Sequence, residues 1–115
     1  MSWVIVTGAN GGIGEATVHQ LITNGYSVFA ADLAQQPIAS FATYGDAIFR
    51  YRAVDVTSEE SVTTLAEAVA ALDEPITGAV LAAGIAHSQP LLETSFDTWK
   101  RLHAVNSDGV FLCLR

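Results

Sequence analysis

Short apolar, β-branched runs alternate along the chain with stretches whose apolar residues recur at helical spacing. Trp3-Val4-Ile5-Val6-Thr7 ends at Gly8, as a strand buried on both faces would. Ile13, Thr17, Leu21 and Ile22 then keep helical spacing up to Asn24-Gly25, a pair that tolerates the left-handed backbone at which helices stop. Ser27-Val28-Phe29-Ala30-Ala31-Asp32 reads as a second buried strand. Residues 35–45, with Pro37 near their start, read as a loop or a short, poorly formed helix. A third strand is expected over residues 48–56. Thr57 and Glu60 stand at capping-box spacing, with Thr57 as N-cap, and open a helix whose apolar stripe is Val62, Leu65, Ala66, Val69 and Leu72. That helix closes at Asp73-Glu74-Pro75, because proline cannot extend the hydrogen-bond ladder. Residues 78–82 form a fourth apolar strand and residues 84–92 a loop. Thr94 or Ser95 opens a last helix, in which Phe96, Trp99, Leu102, Val105, Val110, Phe111 and Leu114 keep a helical rhythm to the final residue.

Strands alternating with helices imply parallel pairing through right-handed crossovers. The fold class is therefore α/β, a Rossmann-like doubly wound parallel sheet with strand order 3-2-1-4. An apolar fourth strand at the end of that order leaves an open edge. It should be covered by a fifth strand, another chain, or residues beyond this sequence. At 115 residues and 50% apolar composition the chain can bury one modest core.

The formal charge of −7 argues against nucleic acid and against an anionic membrane surface as partners. No apolar run of about eighteen residues appears, and Met1-Ser2-Trp3 offers no basic leader, so a cytoplasmic protein is expected. The single Cys113 cannot close an intrachain disulfide and reads as a small buried apolar residue. Nothing before Arg50 is Lys or Arg, so a phosphate bound near the start of the chain must be held by backbone.

The turn after the first strand, Thr7-Gly8-Ala9-Asn10-Gly11-Gly12-Ile13-Gly14, has what that task requires. Its glycines allow a tight bend, close backbone approach to a pyrophosphate, and close helix–strand packing. The following helix start presents unpaired amides and partial positive charge. Ile13-Gly14-Glu15 stands where a triphosphate-binding loop needs Lys followed by Ser or Thr, which excludes that class. Asp32, at the end of the second strand, is placed to accept hydrogen bonds from both hydroxyls of an adenosine ribose. It would repel a 2′-phosphate, and Gly11 and Leu33 supply no cation to offset that, so NAD is expected over NADP.

These residues resemble the short-chain dehydrogenase/reductase family, whose cofactor turn Thr-Gly-x-x-x-Gly-x-Gly is met by Thr7, Gly8, Gly12 and Gly14. The resemblance spans the chain. It implies that Asp55 meets the adenine amino group with help from Val56. It also implies that Ala82, Ala83 and Gly84 form a small-residue wall, although Leu81 and Ala82 replace the two Asn of the family's Asn-Asn-Ala-Gly. Asn106 resembles the family's helix Asn, which supports the active-site lysine through a water. The family's catalytic Ser and Tyr-x-x-x-Lys follow that helix, and Tyr26, Tyr44 and Tyr51 are not followed four residues later by Lys. The resemblance thus implies the cofactor-binding portion of an NAD-dependent, homo-oligomeric oxidoreductase acting on a small-molecule alcohol or carbonyl, truncated and inactive by itself.

The rival is a non-enzymatic NAD-binding or self-associating module complete at 115 residues. Asp55-Val56, Asn106 and the glycine spacing argue against an adenosylmethionine methyltransferase. His87, Ser88 and Gln89 read as a polar surface loop, and Phe96 and Trp99 as core or interface. His19 and His103 lack partners at metal-ligand spacing, and no metal is expected.

Overall fold

The computed structural model describes residues 2–115. Strands β1 (Trp3–Thr7), β2 (Ser27–Asp32), β3 (Phe49–Ala53) and β4 (Ile76–Leu81) form one parallel sheet in the order β3-β2-β1-β4. The alternation of side chains along a strand divides the core between two faces. Val4, Val6, Val28 and Ala30 point to one face, where Val18 of helix α1 (Gly12–Thr23) packs with Phe41 and Phe49. Trp3, Phe29 and Ala31 point to the other, where they meet Leu65 and Val69 of α2 (Glu59–Ala70), with Val105 and Cys113 at the margin. The sheet is therefore doubly wound. Only Asp32, at the tip of β2, escapes that strand's burial.

α1 stops as its sequence requires. Gly25 takes φ +90°, and the amides of Gly25 and Tyr26 donate to the carbonyls of Ile22 and Leu21, a Schellman pair. Past α2, Asp73 adopts φ 51°, a conformation that a short polar side chain tolerates, and Pro75 follows. Residues 35–45 hold one 3₁₀ turn, Ala39–Phe41, anchored by fully buried Phe41.

Several boundaries differ from the pattern-based expectation. The N-cap of α2 is Ser58, whose hydroxyl accepts from the Ser61 amide at 3.1 Å. Thr57 is diverted, because its amide and hydroxyl both donate to Asp55 Oδ1, at 2.9 and 2.6 Å. Two adjacent hydroxyl residues can each cap, and the Asp55 turn decides between them. β3 spans five residues rather than residues 48–56, because its pairing ends with β2 at Asp32↔Ala53. β4 starts at Ile76 and ends at Leu81, opposite the end of β1.

The last helix is not continuous. α3 (Phe96–His103) passes through a π-helical turn, Ala104–Asp108, into α4 (Gly109–Leu114). Apolar rhythm cannot reveal one extra residue in a turn whose cause lies elsewhere in the chain. Here Asn106 makes two bonds to Ile85, accepting from its amide at 2.9 Å and donating to its carbonyl at 2.8 Å. Phe96 and Trp99 are 71% and 52% exposed, so neither is core within the described residues. β4 lies at the end of the sheet order with Ile76 40% exposed. No helix among the described residues is long and apolar enough to cross a membrane.

Candidate functional site

A cleft of about 550 Å³ opens at the C-terminal ends of β1, β2, β3 and β4. In an open parallel sheet that is where the chain reverses direction and where ligands bind. Its lining comes from the glycine turn (Gly8, Asn10, Gly11), the tip of β2 (Asp32, Leu33), residues 54–57, residues 82–85, and Arg101 and Val105. Asp32 and Asp55 are its carboxylates and Arg101 its cation.

The glycines of the turn divide the work. Gly8 has φ +67°, and a Cβ there would lie 2.6 Å from the Ala82 carbonyl, so the turn and the end of β4 pack backbone to backbone. A Cβ on Gly14 would lie 1.9 Å from the Gly8 oxygen, which forces the helix directly onto the turn. Gly12 differs, because nothing lies within 4 Å of where its Cβ would be. The Glu15 amide closes the first turn onto Gly11 O at 2.7 Å, and no side chain caps α1. The amides of Gly12, Ile13 and Gly14 therefore have no acceptor among the described residues.

Thr7 is buried, and its hydroxyl accepts from the Ala83 amide at 3.4 Å, tying β1 to the chain leaving β4. Asp32 accepts from two amides, Asn10 at Oδ2 (2.9 Å) and Leu33 at Oδ1 (2.7 Å). These bonds fix the carboxylate's orientation, while its remaining lone pairs stay available. Asp55 holds Thr57 through Oδ1, leaving Oδ2 without a partner among the described residues.

A profile of the short chain dehydrogenase family matches residues 2–115. The chain belongs to that family. It is 31% identical over 113 residues to the 2,5-dichloro-2,5-cyclohexadiene-1,4-diol dehydrogenase of Sphingobium indicum, covering 97% of this chain and 45% of that protein. It is 32% identical over 115 residues to the NADP-dependent (R)-specific alcohol dehydrogenase of Lentilactobacillus kefiri, covering 96% and 45%. Among solved structures, a short-chain dehydrogenase/reductase of Brucella melitensis, described as a glucose/ribitol dehydrogenase, matches with TM-score 0.90 and 28% identity, over 98% of this chain and 49% of that one. The chain thus spans a little under half the length of these short chain dehydrogenase relatives.

Of the positions singled out from sequence, Gly8, Asn10, Gly11, Asp32, Leu33, Asp55, Val56, Ala82, Ala83 and Gly84 line the cleft. Thr7, Gly12, Ile13, Gly14 and Asn106 do not; they shape or flank it. Sequence reasoning missed Val54, Thr57, Ile85, Arg101 and Val105, which also line it. Arg101 sits one helical turn before Val105, on the same face, and that spacing was the available signal. Its side chain has no hydrogen bond or ion pair among the described residues. Outside the cleft, His87 pairs with Gln89 in the exposed loop. His19 bridges Tyr44 and Ser40, and no cluster able to hold a metal occurs among the described residues.

Proposed function

We propose that residues 1–115 are the NAD-binding Rossmann unit of an oxidoreductase that moves hydride between NAD(H) and an alcohol or carbonyl carbon. The observation that carries this reading is the row of three unsatisfied amides at the start of α1, one of them on a glycine with open space around it, flanking the cleft. A diphosphate suits that arrangement, because its charge is met by backbone dipoles at the start of α1. Asp32 would accept the ribose hydroxyls. Asp55 Oδ2 and the Val56 amide would meet the adenine edge, and Ala82, Ala83 and Gly84 would wall the other side. The nicotinamide supplies the hydride chemistry when bound. Asn106, by holding Ile85, keeps the loop after β4 against the last helices, so its role is positioning.

One relative is named as NADP-dependent, so family membership leaves the choice of cofactor open. Asp32 supports NAD. The catalytic proton donor and the substrate pocket lie outside this unit in our reading, and the unit by itself does not turn over. Exposed Phe96, Trp99, Phe111 and Leu114 support self-association through the last helices.

Calorimetric titration of the chain with NADH and NADPH tests the reading. NADH should bind at least about tenfold more tightly, and Asp32→Ala should narrow that margin. Equal affinities in the unmutated chain would overturn the assignment to NAD, and uptake of neither would overturn the dinucleotide site.

A further inference from the structure

β3 closes the sheet order on the side away from β4, so only one of its edges is paired. The Val28 amide donates to Ile48 O and the Val54 amide to Asp32 O, which turns the main-chain groups of residues 48, 50, 52 and 54 toward β2. Those of Phe49, Tyr51 and Ala53 therefore face outward. The Phe49 amide folds back onto Gly45 O at 3.0 Å, but the amide and carbonyl groups of Tyr51 and Ala53 have no partner among the described residues.

The side chains beside that free edge carry positive charge. Arg50 and Arg52 stand in register with Phe29 and Ala31, so both project to the face that α2 covers. Two hollows follow the edge and meet at Arg52. One, of about 300 Å³, lies between the arginines and Ala68, Ala71 and Leu72; the other, of about 270 Å³, leads past Ala53 to Ser58 and Glu60. Neither shares a residue with the cleft. Acids outnumber Lys and Arg 12 to 5 in the chain, yet neither arginine has an ion pair among the described residues. Arg50 Nε donates to Asp46 O at 2.8 Å, which fixes the side chain and leaves its terminal nitrogens without a partner among the described residues. The two cations are alternate residues of one strand, about 7 Å apart along it.

We propose that the outer edge of β3 is a docking site for an extended acidic segment of a partner protein, which adds to the sheet as a further strand. Its main chain pairs with Tyr51 and Ala53, and its acids at alternate positions meet Arg50 and Arg52. The charge pattern selects the partner. A basic or apolar strand leaves the two guanidiniums repelled or unpaired, which guards the edge against indiscriminate pairing, whereas acids two residues apart satisfy both. Glu60, at the end of the second hollow, opposes a third acid and limits the acidic run. Nothing in this site depends on the cofactor.

The probe is a capped peptide of alternating Val and Glu, followed in amide NMR spectra of the chain. It should shift the Tyr51 and Ala53 amides and bind at least about tenfold more tightly than the same peptide with Lys for Glu, the combined effect of two exposed ion pairs. Arg50→Gln with Arg52→Gln should level the two peptides. Arg50→Glu with Arg52→Glu should reverse the preference, and both positions are exposed, so the fold tolerates the exchange. The Glu peptide N-methylated throughout keeps its carboxylates but cannot pair as a strand, and it should not bind; nor should succinate. Equal binding of the Glu and Lys peptides, or binding of neither, would show that the arginines only guard the edge and would overturn the proposal. Binding of succinate or the methylated peptide as tight as that of the Glu peptide would mark a small-anion pocket and overturn it as well. In each case the NAD(H) reading stands.

Discussion

Gly12→Ala separates a turn built for a ligand from one built only for folding. The added methyl meets no protein atom within 4 Å, and Gly12 does not have the positive φ that would penalise a side chain. Alanine is also the better helix former, by up to about 1 kcal/mol in a helix interior and less at the first position of α1. Stability should stay level or rise slightly. On the proposed reading, the same methyl would crowd a diphosphate held by the three unsatisfied amides. Loss of one charge-assisted hydrogen bond costs about 1.5–3 kcal/mol, a roughly ten- to hundredfold rise in Kd. Thermal melting and calorimetric titration with NADH, on the same preparation, read the two effects separately. Gly14→Ala is the contrast, because its Cβ would sit 1.9 Å from Gly8 O and the helix could not seat. Unchanged NADH affinity in Gly12→Ala would refute the diphosphate site, and a large fall in its melting temperature would refute the open space.

Other expectations follow from single contacts. Asn106→Ala removes both bonds to Ile85 and should lower stability by about 1–3 kcal/mol in urea unfolding, with Asn106→Asp losing only the donated bond. Ser58→Ala should cost about 1 kcal/mol as the loss of an N-cap, and Thr57→Ala distinctly less; the reverse order would restore Thr57 as the cap. Burial holds the Tyr51 hydroxyl protonated above its ordinary value of 10.0, nearby Asp32 adds to this, and the Asn10 hydrogen bond opposes it. The folded chain therefore keeps that proton longer than the unfolded chain. Its stabilising contribution is whole below pH 10 and declines as pH rises through the higher folded value, so Tyr51→Phe should flatten the alkaline limb of a stability–pH curve.

The fold was legible because its signals are local. Apolar strand runs, Gly25 after α1 and Pro75 after α2 fix elements without reference to anything distant. The glycine turn and Asp32 follow strand ends that are equally local, and the fold brings them to one cleft. What escaped depended on which partner a side chain takes, nearby or far along the chain. The shift of the α2 cap from Thr57 to Ser58 follows from Asp55 claiming Thr57, and the π turn carries Asn106, whose side chain pairs with Ile85. Asn10 lines the cleft. Its side-chain hydrogen bonds were not readable, since Gln36, Ile38 and Tyr51 are brought to it only by the pairing of β2 with β3.

The bond between Thr7 and Ala83 joins residues 76 positions apart, and the glycine turn is pressed into shape by the Ala82 backbone. On a ribosome, β1 emerges first, and its neighbour β4 only after β2 and β3. At about 5–20 residues per second, the turn waits roughly 4–15 s for that neighbour, and longer for Asn106 to clasp Ile85. During that interval one side of β1 is unpaired. The nascent chain is thus open to misassociation at a strand that ends up interior to the sheet.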